Sequence, residues 1–210
     1  MYDFLLKFVI IGDHNTGKTS LLKNYIQNVI PTIGVDFITT DIILNQKTFR
    51  LHIWDTSGNN SFLNIIKVYL KNSIGSIIVF NLNDINSFNN IDNWITHIAS
   101  SSSSYHKNIL IGTHSDKPRK ISNEMIKIKC ETYNLEYFET SPDFHIEYCF
   151  IKIINSIMKE FKKNPQIFSN LEGFHNQMTP ISTSDYINFD NQQDFHINKN
   201  YCCTNNCSIL

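Results

Sequence analysis

An eight-residue segment near the N-terminus has the residue types and spacing of a phosphate-binding loop. Residues 12–19 read Gly-Asp-His-Asn-Thr-Gly-Lys-Thr, which fits the pattern G-x4-G-K-[ST]. Glycines let the backbone wrap closely around a phosphate, and successive N–H groups at a helix N-terminus form a nest for the anion. The pattern predicts that Lys18 reaches the β- and γ-phosphates and that the Thr19 hydroxyl binds Mg²⁺. The other predicted members of this cradle are Gly12, Asn15, Thr16, Gly17 and Ser20.

A second candidate group lies in residues 54–58, Trp-Asp-Thr-Ser-Gly. An aspartate that leaves a buried strand beside a phosphate loop can hold Mg²⁺, which points to Asp55. A glycine after it, here Gly58, can donate its N–H to a γ-phosphate and release it after hydrolysis. An Asx-turn at a strand end is the alternative interpretation. The nearby phosphate loop favours the metal ligand.

Three cysteines stand in the last nine residues. Cys207-Ser208-Ile209-Leu210 fits the C-a-a-X pattern, and the terminal leucine favours geranylgeranylation of Cys207. Because one lipid chain gives only marginal membrane binding, a second signal is expected, and Cys202 and Cys203 are the candidates. A metal cluster formed with His196 is the alternative, but it requires a folded outer shell of side chains. The pattern predicts a lipid anchor.

Strand and helix patterns alternate along residues 1–163, with the phosphate motif placed between the first strand and the first helix. This alternation predicts an α/β/α three-layer sandwich of the P-loop NTPase type around a six-stranded, mostly parallel sheet. The carboxyl ends of such strands meet along one edge, where ligands bind. The predicted strands are residues 5–11, 35–44, 48–54, 76–80, 109–111 and 137–140. The predicted helices are residues 17–28, 87–99, 121–133 and 145–162.

Composition and charge bear on the organisation of the chain, its partners and its cellular setting. After Lys163 the periodicity ends, so residues 164–210 are interpreted as a flexible tail behind a monomeric domain. A net charge of −1 gives no reason to expect a nucleic-acid partner. No apolar run approaches the roughly 18 residues of a membrane span. The sequence also contains no pattern of a secretory signal. Cysteine placement favours a reducing, cytosolic setting.

Together these segments resemble the Rab family of small GTPases over about residues 4–162. Residues 31–37, Pro-Thr-Ile-Gly-Val-Asp-Phe, resemble the Rab switch I signature, and residues 54–60 are similar to switch II. Residues 139–141, Glu-Thr-Ser, resemble the guanine-binding loop. The resemblance implies a GTP/GDP switch in vesicle traffic that works on the cytoplasmic face of an intracellular membrane and cycles with the cytosol.

The same resemblance assigns residues and partners. It implies that Thr32 binds Mg²⁺ and the γ-phosphate, and that Ser141 belongs to the guanine-binding loop. It also implies that residues 33–37 and Trp54 form part of an effector surface. The expected partners are effector proteins, an exchange factor, a GTPase-activating protein and, through the prenyl group, the membrane.

Several positions depart from the family pattern. Residues 113–116, Thr-His-Ser-Asp, replace the NKxD motif. Asp116 remains available to accept two guanine N–H groups, but the residues that brace the loop and cover the base are changed. Pro142 lacks the N–H that would contact guanine O6.

Asn59 replaces the glutamine that orients the attacking water, so Asn59 and Lys18 are the catalytic candidates of a slow GTPase. His14 can obstruct an incoming arginine finger. The alternative is a degenerate pseudo-GTPase that serves as a membrane-anchored binding module without effective guanine specificity.

Overall fold

A six-stranded sheet forms the centre of the computed structural model, which describes residues 2–23, 25, 30–102, 105–140 and 145–168. The strands are β1 (Phe4–Ile11), β2 (Val35–Leu44), β3 (Lys47–Thr56), β4 (Gly75–Asn81), β5 (Lys107–Thr113) and β6 (Glu136–Glu139). Their order in the sheet is β2-β3-β1-β4-β5-β6. All neighbouring strands are parallel except β2 and β3, which form an antiparallel hairpin.

Helices cover both faces of this sheet. They are α1 (Lys18–Leu21), α2 (Leu63–Leu70), α3 (Ile85–Asn89), α4 (Ile91–Ser101), α5 (Asn123–Tyr133) and α6 (Glu147–Lys163). Two short 3-10 helices occupy Asn60–Phe62 and Pro165–Phe168. None of the helices among the described residues is long and apolar enough to cross a membrane.

The side chains of β1 alternate between the two faces of the sheet and so belong to two layers of the core. Phe8 and Ile10 pack on the face covered by α6, whereas Val9 and Ile11 pack on the face covered by α2, α4 and α5. Successive strand side chains point to opposite faces, and all four are fully buried because helices lie on both sides. The predicted three-layer α/β/α architecture is therefore confirmed.

The helices differ from the sequence-based prediction in three places. The predicted helix 87–99 is two helices, Ile85–Asn89 and Ile91–Ser101, with Asn90 between them. Helix α2 was not predicted because its apolar face is short and lies between loops. The predicted helix 17–28 is helical over Lys18–Leu21, and much of its remainder lies outside the described residues.

The register of the sheet brings the candidate site together. Ile10 in β1 is paired with Asp55 in β3, and Asn81 in β4 is paired with Thr113 in β5. The segments that follow β1, β3, β4 and β5 therefore meet at one edge. Because Val35 pairs with Thr56, the residues just before β2 are brought to the same edge.

Candidate nucleotide site

The phosphate loop has a backbone that requires glycine at defined points. Gly12 has a φ of +140° and Gly17 a φ of +87°. A Cβ atom on Gly12 would lie 2.0 Å from the carbonyl oxygen of Val79, so no side chain fits there. A Cβ on Gly58 would lie 2.3 Å from the carbonyl oxygen of Gly12. Gly58 is thus packed directly against the phosphate loop.

Lys18 points its ammonium group into this loop. Its Nζ donates to the carbonyl oxygen of Asp13 at 2.6 Å, and the residue is only 4% exposed. Burial lowers the pKa of Lys18 to about 8, although Asp55 and Asp13 oppose this shift. The charged form is therefore poorly solvated in the protein alone. An anionic phosphate would supply the missing stabilisation and would favour the ammonium ion.

Three oxygen-bearing side chains converge beside Lys18. The hydroxyls of Thr19 and Thr32 both donate to Oδ2 of Asp55, at 2.6 and 2.8 Å, and the two hydroxyl oxygens are 2.8 Å apart. Asp55 is 1% exposed, and its Oδ1 atom has no hydrogen-bond partner among the described residues. Burial raises the pKa of Asp55, while hydrogen bonds from both threonines and the charge of Lys18 lower it.

This oxygen cluster fits a magnesium ion. Mg²⁺ prefers oxygen ligands at about 2.0–2.1 Å in an octahedron, for which neighbouring ligand oxygens are about 2.9 Å apart. The oxygen separations of 2.6 to 2.8 Å at Thr19, Thr32 and Asp55 are close to that edge. A buried carboxylate with an unsatisfied oxygen is costly without a cation or a further donor. The predicted metal ligands thus lie close together, and Oδ1 of Asp55 remains available as a further acceptor.

The segment at residues 113–116, which stands in place of the NKxD motif, supports the phosphate loop through Thr113. Thr113 is 4% exposed, and its Oγ1 donates to the carbonyl oxygen of Thr16 at 2.7 Å. Thr113 therefore ties β5 to the loop, a function that its replacement of asparagine was expected to weaken. A neighbouring contact joins Thr113 Oγ1 and Nδ1 of His114 at 2.9 Å.

The imidazole of His114 lies beside the phosphate loop. His114 has a φ of +59°, and its Cε1 atom would lie 3.6 Å from a Cβ built on Gly17. Its pKa is lowered, first by burial and then by the charge of Lys117, so the neutral ring is favoured. Asp116 is exposed in the same loop. Ser141 and Pro142 lie outside the described residues.

Two other predicted residues make contacts that bear on catalysis. Oδ1 of Asn59 accepts a hydrogen bond from the backbone N–H of Ser61 at 2.9 Å, so this side chain caps the 3-10 helix Asn60–Phe62. His14 is exposed, with Nδ1 3.3 Å from the carbonyl oxygen of Ser57. It links the phosphate loop to the end of β3.

The remaining sequence-predicted positions fall into two groups. Thr16 is buried, Asn15 is exposed with a φ of +61°, and Ser20 is exposed within α1. The proposed lipid acceptors lie outside the described residues; they are Cys202, Cys203 and Cys207. No group of three or more His, Cys, Asp or Glu side chains that could hold a metal occurs in the described part of the chain.

Sequence analysis did not identify three residues that hold the loop. Oδ1 of Asp13 accepts hydrogen bonds from Nδ2 of Asn90 and Nε1 of Trp94. Asp13 occupies a variable position of the phosphate motif, and the other two lie about 80 positions further along the chain. The only available signal was a tryptophan, whose N–H requires an acceptor when buried.

An exposed apolar surface lies near the predicted metal ligands. The ring of Phe37 is 4.6 Å from that of Trp54, which is stacked 4.2 Å from Tyr69. Ile33 is 91% exposed and Val68 67% exposed. Exposed apolar patches of this kind are typical of sites of protein association. It includes the residues that the sequence predicted for effector binding, and α2 adds Tyr69 and Val68 to them.

Comparisons with known proteins agree with this geometry. Residues 7–159 match the model of the Ras family. The chain is 32% identical to the Ras-related protein Rab-11B of Dictyostelium discoideum, over 96% of this chain and 97% of that protein. It is 34% identical to the Ras-related protein RABD2a of Arabidopsis thaliana, over 78% of this chain and 85% of the relative. For the Ras-related protein RAB1BV of Beta vulgaris the identity is 34%, over 74% and 77%. The chain belongs to the Ras family of small GTPases and is related to its Rab members.

Proposed function

We infer that this protein is a Rab-like GTPase, a GTP/GDP switch that regulates vesicle traffic from a membrane surface. One observation carries this inference. The hydroxyls of Thr19 and Thr32 meet the buried carboxylate of Asp55 beside Lys18, and these residue types share a purpose only when Mg²⁺ and a polyphosphate bind.

Each of these residues has a distinct function in binding. The N–H groups of the phosphate loop and the ammonium of Lys18 hold the β- and γ-phosphates. Thr19, Thr32 and Asp55 would hold Mg²⁺, directly or through water, and that ion would supply positive charge to offset the charge of the phosphates. Guanine recognition falls to Asp116 and to the loop that contains Ser141.

Switching follows from where Thr32 and Gly58 lie. Thr32 precedes β2 and Gly58 follows β3, and the backbone N–H of Ser57 donates to the carbonyl oxygen of Gly34 at 2.9 Å. The two segments are therefore linked at the point where the γ-phosphate binds. Loss of that phosphate removes the ligand of both residues and releases both segments.

Hydrolysis is expected to be slow. The side chain of Asn59 is one methylene shorter than glutamine, and its Oδ1 already accepts from Ser61 N–H. That hydrogen bond holds the short side chain against the 3-10 helix Asn60–Phe62. The intrinsic catalytic contribution then comes mainly from Lys18 and the loop, which stabilise charge on the phosphate oxygens.

Signalling is proposed to occur through the apolar surface of Ile33, Phe37, Trp54, Val68 and Tyr69. Its residues flank the two segments that respond to the γ-phosphate, so effector proteins would bind it in the GTP state. An exchange factor and a GTPase-activating protein would control the cycle. Prenylation of Cys207, with a second lipid on Cys202 or Cys203, would place the domain on the cytoplasmic face of a membrane.

Nucleotide content tests the central inference. The full chain is purified in Mg²⁺ without added nucleotide, and the bound nucleotide is identified after denaturation. GTP, GDP and ATP are then titrated with and without Mg²⁺. Guanine nucleotide should be retained, and its affinity should fall when Mg²⁺ is chelated. Asp55→Asn removes one carboxylate charge at similar volume and should lose the magnesium dependence.

The alternative, a pseudo-GTPase that works as a membrane-anchored binding module, predicts a different result. If no nucleotide is retained and none binds on titration, the GTPase inference is wrong. Equal affinities for ATP and GTP would leave a nucleotide switch but remove guanine specificity. The lipid anchor is tested separately by mass spectrometry of protein from eukaryotic cells, in which Cys207→Ser should abolish prenylation and membrane association.

A further inference from the structure

The carboxylate of Asp13 is held by the junction between α3 and α4. Its Oδ1 atom accepts from Nδ2 of Asn90 at 2.6 Å and from Nε1 of Trp94 at 2.7 Å. Trp94 is 2% exposed, so its N–H has no access to bulk water. Both bonds are charge-assisted, because the acceptor is a carboxylate, and such bonds are stronger than neutral ones.

Asp13 is also the residue that orients Lys18. Its backbone carbonyl accepts from Nζ of Lys18 at 2.6 Å and from Oγ1 of Thr16 at 2.9 Å. The side chain of Asp13 is therefore fixed from outside the site, while its main chain fixes the lysine inside the site. A shift of Asp13 would move the acceptor of the lysine that binds phosphate.

The loop requires such an external support. It contains positive φ angles at Gly12, Asn15 and Gly17, and the value of +61° at Asn15 is uncommon for a residue with a side chain. Conformations of this kind persist only where the surroundings determine them strongly. Thr113 supports the loop at Thr16, near its end, and the α3–α4 junction supports it at Asp13, near its start.

We propose that Asn90 and Trp94 are positioning residues for the nucleotide. By donating two N–H groups to one oxygen of Asp13, they hold the phosphate loop in its binding conformation and slow the release of bound nucleotide. This inference rests on the proposed nucleotide-binding function. It adds a control point on helices that do not touch the phosphates.

Helical geometry places Asn90 and Trp94 on the same side of the α3–α4 junction. The N–H of Asn90 donates to the carbonyl oxygen of Asn86 at 2.9 Å, and the carbonyl of Asn90 accepts from Trp94 N–H at 3.2 Å. These helical bonds hold Asn90 and Trp94 about one turn apart, with both side-chain donors directed at Oδ1 of Asp13.

A charge substitution with a charge-exchange rescue tests the proposal. Asn90→Asp replaces a donor by a second carboxylate at the position that is now 2.6 Å from Asp13. Repulsion between the introduced carboxylate and that of Asp13 should raise the dissociation rate of fluorescently labelled GDP at least tenfold. Adding Asp13→Asn to Asn90→Asp restores one amide donor and one carboxylate acceptor in reversed order. This double variant should return most of the way towards the wild-type rate.

A matched control separates local charge from position. Asn89→Asp adds the same charge on the neighbouring exposed residue and should change the dissociation rate less than twofold. Thermal unfolding is measured in parallel for every variant. A lower melting temperature in Asn90→Asp with an unchanged dissociation rate would mean a structural role only, and would overturn the proposal.

A second measurement does not depend on nucleotide. Backbone amide NMR spectra of the nucleotide-free protein should show shifts at Gly17 and Lys18 in Asn90→Asp that revert in the double variant. Unchanged loop amides in Asn90→Asp would overturn the proposal, even if the wild-type protein binds no nucleotide. If the wild-type protein binds GDP and Asn90→Asp releases it at the wild-type rate, the positioning role fails while the GTPase inference stands.

Discussion

His106 is a histidine whose surroundings in the folded protein favour the neutral ring. Its Nδ1 lies 3.0 Å from the carbonyl oxygen of Ser73, so this nitrogen carries the proton and donates it. Its Nε2 lies 2.8 Å from Oγ of the fully buried Ser76 and accepts a hydrogen bond from that hydroxyl. Burial lowers the pKa of His106 from 6.5 to about 4, against a smaller opposing effect of the Ser73 carbonyl.

This shift predicts how stability depends on pH. Between pH 6.5 and about 4 the unfolded chain binds a proton at His106 that the folded protein does not bind. The stabilisation is therefore present above pH 6.5 and is lost as the pH falls towards 4. For these two pKa values, the free energy of unfolding falls by about 2 kcal/mol between pH 7 and pH 5, and by about 3 kcal/mol in total.

The assay is urea unfolding at saturating GDP and Mg²⁺, measured at intervals from pH 7.5 to pH 4.5. His106→Gln has no titratable ring, so its unfolding free energy should fall less steeply with decreasing pH than that of the wild-type protein. The difference in slope integrates to about 2 kcal/mol between pH 7 and pH 5. His145→Gln removes an exposed imidazole, 70% accessible, and serves as the control.

Parallel stability curves for the wild-type protein and His106→Gln would refute this reasoning. They would mean that His106 titrates with the same pKa in the folded and unfolded states. NMR titration of the imidazole gives the folded pKa directly. Because Ser73 and His106 lie at the amino ends of β4 and β5, on the sheet edge opposite the phosphate loop, nucleotide affinity of the variant should stay near that of the wild-type protein at pH 7.5.

Three further predictions concern the nucleotide site. Thr113→Val removes the hydrogen bond to the Thr16 carbonyl and leaves that buried oxygen unsatisfied, at a cost of about 1–3 kcal/mol. GDP dissociation should therefore be about 5- to 150-fold faster. The control, Thr113→Ser, should stay near the wild-type rate. Gly12→Ala places a Cβ atom 2.0 Å from a carbonyl oxygen and should abolish nucleotide retention and lower the melting temperature; an unchanged melting temperature would contradict the loop geometry. Asn59→Gln should raise the rate of single-turnover GTP hydrolysis about tenfold, because the longer side chain carries its amide further towards the attacking water. Asn59→Ala should change this rate little. Equal rates in the wild-type protein and both variants would argue against any contribution from this position.

The sequence alone determined the fold class and most of the phosphate site. Apolar runs bounded by glycine and polar turns predict strands reliably when both faces are buried, as in β1 and β4. The motif at residues 12–19 predicts its own local structure, because its glycines, lysine and threonine act within one turn of each other. The segment at residues 54–58 also predicts Asp55, whereas Thr32 is implied by the resemblance of residues 31–37 to the Rab switch I signature.

Only the tertiary structure decided which distant side chains support that motif. Asp13 contacts Asn90 and Trp94, and Thr113 contacts Thr16, across separations of 77 to 97 residues. Such contacts depend on strand order and register, which place the ends of β1, β3, β4 and β5 side by side. A hydrogen bond between side chains so far apart has no periodic trace in the sequence. For the same reason the sequence underestimated Thr113: the loss of the usual asparagine was visible, whereas the hydroxyl's position against the Thr16 carbonyl existed only after the chain had folded.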